Sequence, residues 1–278
     1  MTIHNEIDLL CEGVPEGLDV RFLEMARFAV QKTLPFAARV GIFDAGSKLD
    51  LVPSVRARRT LFKKGYVFAV SDRDFLIRPL LEDRRAKALD LAIEGEGLKR
   101  LTAYPLRRHC IESYLIEPAF IEHALGISGV SDVLAQMAER RRWIDIVRAV
   151  LEDVAYKARQ ARPRLGDALP TCEGEAVRIV AEKIHAYRDA IQRQTQQEEP
   201  SSLVRMFADD FDDDGSLYTR VDGKELLGEL RTWLDQQGLL PGGDLHTALR
   251  HHADRHGPPL PLIEEVAVLV EKIAALHA

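Results

Sequence analysis

Two short acidic motifs follow apolar runs in the first third of the chain. Glu12-Gly13 comes directly after EIDLLC, and Asp72-Arg73-Asp74 comes directly after YVFAVS. Carboxylates gathered at one point hold hard divalent cations such as magnesium or manganese, which prefer oxygen ligands. An ion held this way stabilises the charge that builds on a transferring phosphoryl group, or activates a water. Each motif has a plain structural reading too, because aspartates at strand ends often serve as helix caps or turn residues. The combination of the two motifs, and the elements that bear them, carries the metal reading.

Those elements alternate. Glu6–Cys11, Arg39–Phe43 and Tyr66–Val70 read as short strands, and Lys99–Tyr104 as a fourth. Leu18–Lys32, Leu49–Lys63 (with Pro53 in its first turn) and Leu80–Ile93 carry apolar residues at helical spacing. Strand, helix, strand implies an α/β fold with a parallel sheet flanked by helices. Ligands of such sheets bind beyond the carboxyl ends of the strands, so both acidic motifs fall on one rim. Strand alternation would put Asp72 and Asp74 on the same side.

From Pro118 onward the pattern is mostly helical: Val130–Gln160, Cys172–Gln197, Asp222–Gln237, Asp244–Arg255 and Leu260–His277, with Thr195–Ser202 as a loop. The expected organisation is an α/β domain over 1–117 and a helical domain over 118–278 that docks a partner, dimerises or acts as a lid. The even apolar pattern of Leu262–Leu276 suits a homodimer.

The net charge is −6, which argues against indiscriminate coating of DNA but allows a local basic groove. Met1–Asp8 has no basic start or apolar run of a signal peptide, and no stretch is apolar enough to span a membrane. Three well-separated cysteines, Cys11, Cys110 and Cys172, form no zinc or redox motif. Reduced thiols in a cytoplasmic protein are the expectation.

The stretches CEGVPEGLDVRFLE, VGIFDAGSK and VFAVSDRDF together resemble Toprim domains, whose strands end in Glu-Gly and then in Asp-x-Asp. RHCIESYLIEP at Arg108–Pro118 and VDGKELLGEL at Val221–Leu230 narrow the resemblance to the DUF4435 group, Toprim proteins related to the OLD-family nucleases and including the effector of the PARIS anti-phage system. The resemblance implies that Glu12 is a metal-linked or acid/base glutamate and that Asp72 and Asp74 are metal ligands. It implies that Glu112 helps hold the metal and that Lys224 stands near the scissile phosphate. The usual second acidic residue lies four positions after the glutamate. Glu16 stands at that offset, while Asp19 directly precedes the apolar VRFL run, and the pattern leaves open which one fills the role. Glu112 also suits an ordinary first-turn acid, and Lys224 a solvated lysine at a helix start.

The resemblance further implies a metal-dependent nuclease acting on RNA such as tRNA, or on DNA, as a defence effector controlled by an ABC-type ATPase. The rival expectation is a non-catalytic Toprim-like module that docks on such an ATPase. No P-loop of its own is present.

Three other signals read as structural. Asp210–Gly215 opens like an EF-hand loop but has Val221 where the closing glutamate belongs, so an acidic surface loop is expected. His252 and His256 share a helix face without the HExxH glutamate, which suggests a solvated helix end. Gly46-Ser47-Lys48 suits a phosphate-contacting turn or a plain connection.

Overall fold

The computed structural model describes residues 7–13, 17–47, 50–61, 66–74, 76, 78, 81–86, 103–108, 110–158, 169–185, 199–212, 217–240 and 244–277. Strand β1 (Ile7–Cys11) leads into helix α1 (Leu18–Gln31), a 3-10 turn at Pro35–Arg39, β2 (Val40–Asp44), α2 (Leu51–Leu61) and β3 (Tyr66–Ser71). A helical stretch at 81–86 and the short β4 (Tyr104–Pro105) follow. The sheet runs in the order β2-β1-β3-β4, with every pairing parallel. The expected α/β sheet flanked by helices is present. Most of the expected helix Leu80–Ile93 and of the strand Lys99–Tyr104 lies outside the described residues.

The two faces of the sheet bury different sets of residues, as period-2 alternation requires. Ile7, Leu9 and Cys11 of β1, with Ile42, Phe68 and Val70, join the large core shared with α1 and the helical half. Leu10, Val67 and Ala69 face the other way, onto Leu51 and Val55 of α2. Asp8 also points to the α2 side, where it is buried and accepts a 2.9 Å hydrogen bond from Arg58 Nη1.

Among the described residues, helices make up most of the chain after β4. They are α3 (Ile111–Leu115), α4 (Pro118–Leu125), α5 (Val130–Ala158), α6 (Glu173–Ile184), α7 (Pro200–Asp212) and α8 (Gly223–Gln236). Helices α9 (Leu245–His256) and α10 (Leu260–His277) complete the described chain. Helix α7 starts inside the segment expected as a loop, with Pro200 in its first turn, where a missing N–H costs nothing. One apolar cluster runs from β1 to Ile273 of α10, and α10 packs against α1. No described helix is long and apolar enough to cross a membrane.

A buried polar knot ties α10 to the sheet. Arg85 donates to Glu265 of α10 and to the Tyr104 hydroxyl, and its guanidinium stacks 4.4 Å from the Tyr104 ring. Both Arg85 and Glu265 are almost fully buried, so each needs the other to offset lost hydration.

Candidate functional site

β1 and β3 are neighbours in register, with Cys11 opposite Val70, so the residues that follow them emerge side by side. Glu12 and Asp72 meet there: the Asp72 N–H donates to Glu12 Oε1 at 3.2 Å. Gly13 bridges antiparallel to Gly46, exchanging hydrogen bonds of 2.8 and 3.0 Å, which ties the rim after β1 to the rim after β2. Gly13 has φ +128°, and a Cβ there would stand 3.0 Å from Asp19 Oδ2. Only glycine lets the chain turn this closely over the first turn of α1.

Two further charged groups act on this pair from the opposite side. Glu112 sits in the first turn of α3, and Lys224 in the first turn of α8. Lys224 Nζ lies 3.8 Å from Asp72 Oδ2. The approach depends on Gly223, which is pressed onto α3: a Cβ there would stand 2.6 Å from Ser113 N, 2.9 Å from its Cα, and closer still to its Oγ. The α8 N-terminus is anchored by Asp222, whose Oδ1 accepts from the N–H groups of Lys224 (3.1 Å) and Glu225 (3.3 Å). The Asp222 N–H donates in turn to Asp145 Oδ2 at 3.0 Å. Asp145 is fully buried and is held by Arg141 at 3.5 Å and Arg148 at 3.3 Å.

Crowded negative charge shows in the protonation of the site. Burial, with Glu12, Asp19 and Glu112 nearby, pushes the Asp72 carboxyl up to about 8, against the pull of Lys224. Burial and Glu112 raise Asp19 to about 6, although Lys224 works against the rise. Burial alone would lower Lys224, but Glu112 and Asp72 hold it above its ordinary value. Oε2 of Glu112 is buried and makes no hydrogen bond. Cys11, Glu12, Asp19, Asp72 and Ile111 line a small cavity at this point. Burial pushes the Cys11 thiol up to about 12, so it stays protonated and is no ligand for a hard ion.

This donor set fits a hard divalent cation. Its acidic groups are carboxylates whose mutual repulsion is only partly offset by one lysine, and one buried carboxylate oxygen makes no hydrogen bond. Among the described residues no three His, Cys, Asp or Glu side chains already stand as a coordination shell.

The residues expected from the sequence separate into groups. Glu12, Asp72, Glu112 and Lys224 come together. Asp19 joins them, and Glu16 lies outside the described residues. β3 ends at Ser71, before Asp72, so strand alternation does not relate Asp72 to Asp74. Asp74 instead turns left-handed, with φ 50°. Between them Arg73 is buried, donating to Leu76 O at 2.6 Å and Arg107 O at 2.9 Å.

Of the acidic run expected as a surface loop, residues 213–215 lie outside the described residues, and the part before them is helical. Asp210 and Asp212 lie in α7, and Asp210 is buried against Arg73 and Arg220 while its Oδ1 accepts from the Arg78 N–H at 2.6 Å. Phe207 and Phe211 drive α7 into the core, and Asp210 is carried in beside them. Ser47 is exposed and is bonded within its own turn: its N–H and hydroxyl donate to Asp50 Oδ2 at 2.9 and 2.6 Å. The histidine pair is more than a solvated end, since His252 stacks 4.6 Å from His256 and packs edge-on against Phe120 at 5.1 Å, with His123 of α4 nearby.

Sequence reasoning missed Asp145 and the Ser113–Gly223 contact. Asp145 sits in RRRWIDIV with no motif to mark it. The glycine of DGK was visible, but not what it packs against. Compared with protein-family models, with curated proteins and with solved structures, the chain matches none.

Proposed function

We propose that this chain is a Toprim-type, divalent-metal-dependent nuclease of the OLD-related DUF4435 kind, hydrolysing phosphodiesters of RNA such as tRNA, or of DNA. The observation that carries the reading is the meeting of Glu12, Asp19, Asp72 and Glu112 at the carboxyl rim of a parallel sheet, with Lys224 brought over Asp72 by a distant helix. Motif resemblance and spatial convergence are separate supports, because Glu112 and Lys224 are far from Glu12 in sequence.

Glu12, Asp72 and Glu112, with Asp19, would hold magnesium or manganese. When bound, such an ion polarises a phosphate and acidifies a water. Lys224 places a cation at the site to offset charge developing on phosphate oxygens. Its side chain is 61% exposed, so it can reach a substrate while still facing Asp72. Asp72 keeps its proton longer than an ordinary carboxyl, so loading metal at neutral pH releases a proton from it. The motif resemblance extends the proposal to a cytoplasmic anti-phage effector held by an ABC-type ATPase partner.

The test incubates purified protein and its Asp72→Ala variant with total tRNA, single-stranded DNA and plasmid, in magnesium, manganese or EDTA. Cleavage that needs metal and is lost in the variant is the expected result. Cleavage unchanged by Asp72→Ala overturns the site. No cleavage together with no metal binding favours a non-catalytic docking module.

A further inference from the structure

A second cavity, of about 400 Å³, is walled in part by α3, the helix that carries Glu112. Its walls come from the segment after β4 (Arg107, Arg108), from α3 (Tyr114), from the turn before α8 (Tyr218, Arg220) and from α10 (Glu264, Glu265). The size is that of a small-molecule pocket. We propose that this cavity holds one nucleoside monophosphate unit, either free or as part of a strand; the strand form rests on the nuclease reading above.

The lining selects for this class by elimination. A simple anion would meet the carboxylates of Glu117, Glu264 and Glu265. An apolar guest would strip water from the charged walls and return no polar contact. A nucleotide meets both requirements, because it carries a phosphate for guanidinium, a flat ring for tyrosine, and hydroxyl or amino donors for carboxylate oxygens.

The arginines are unequal, and that inequality assigns their tasks. Arg108 is fixed by Glu117 and donates to Ser113 O at 2.9 Å, and Arg220 is buried against Asp210. Arg107 is 63% exposed and makes only a loose 3.9 Å pairing with Glu265, so its planar guanidinium is the one placed to grip a phosphate. Tyr218 is half-buried at the wall and offers a ring for stacking. Glu265 is already held by Arg85, and so serves as a fixed wall.

The place of the cavity suits a strand. Glu112 and Tyr114 are two residues apart on α3, so they project from nearly opposite sides of it. Ile111 lines the carboxylate cavity and Tyr114 the second one, so both cavities border this one short helix. A strand with its scissile phosphate beside Asp72 brings a neighbouring nucleotide to the cavity. Arg220 and Lys224 flank the Asp222 cap, so one short segment serves both places.

Titration of the intact protein with each of the four 5′-nucleoside monophosphates, in EDTA, tests the assignment by calorimetry and saturation-transfer NMR. One equivalent is expected to bind, with Arg107→Ala and Tyr218→Ala each weakening binding about tenfold, the loss of one charge-assisted or stacking contact. Asp72→Ala leaves this binding in place. A single-stranded RNA oligonucleotide then separates the sources: a strand-borne unit makes the monophosphate compete with it, and a free-nucleotide site lets both bind together. No binding at millimolar nucleotide, or binding untouched by both cavity substitutions, overturns the proposal. Nucleotide bound without any metal-dependent cleavage would sink the nuclease reading alone, and cleavage without nucleotide binding would sink the cavity alone.

Discussion

Asp72→Asn separates what the site costs the fold from what it does. In the folded protein Asp72 keeps its proton up to about pH 8, against an ordinary value of 3.8. Across that window the folded chain binds more protons than the unfolded chain, so stability falls as pH rises from about 4 to about 8 and levels off above. At 1.36 kcal/mol per unit, the shift sets a ceiling of roughly 5–6 kcal/mol on the destabilisation. Glu12 is only half-buried, and solvent at that side screens the cluster, so about 2 kcal/mol is the expected penalty at high pH. An asparagine keeps the shape, cannot ionise, and can donate to Glu12.

Urea unfolding of the metal-free proteins at about pH 5 and about pH 9 reads the difference. Near pH 5 the folded wild-type carboxyl is still neutral and only about a quarter of the penalty has accrued, so the two proteins should differ by about 0.5 kcal/mol. Near pH 9 the variant should be the more stable by about 2 kcal/mol. Millimolar magnesium should stabilise the wild type and leave the variant unmoved. A variant equally stable relative to wild type at both pH values, or less stable at the higher one, would refute the idea that crowded carboxylates strain this rim.

Three further outcomes test the surrounding frame. Gly223→Ala forces a Cβ into Ser113 and should cost about 1–3 kcal/mol by thermal unfolding while withdrawing Lys224 from Asp72; wild-type stability would contradict the close approach. Glu265→Ala strands Arg85 in the interior and should lose about 3–5 kcal/mol in chemical denaturation, with Glu265→Gln losing less. Lys224→Ala should keep the melting temperature, since the side chain is 61% exposed, yet lower kcat about 100-fold in the metal-dependent cleavage assay, with Lys224→Arg recovering part of it.

The sheet was legible in the sequence because its signals are local. IDLLC, VGIFD and YVFAVS are short apolar runs bounded by polar turns, and the helices between them force parallel pairing. Parallel pairing alone then sets Glu12 and Asp72 on one rim, since residues following neighbouring parallel strands emerge at the same end. The positive φ of Gly13 was not written in the motif, but a glycine at a turn is the residue that permits it.

The rest depended on packing between distant segments. Asp19 reaches the cluster because α1 begins at Leu18 and directs its first turn at Gly13. Glu112 and Lys224 arrive only because α3 and α8 touch through Ser113 and Gly223, a contact between residues that no periodicity links. Asp210 looked like a surface acid because its neighbours are acidic; it is buried because α7 turns Phe207 and Phe211 inward on the same face and two arginines neutralise it. Hydrophobic period and turn chemistry act over a few residues, so they determine which carboxylates end strands. Which helix docks beside them is determined by the fit of side chains across the whole core, and that fit exists only once the chain has folded.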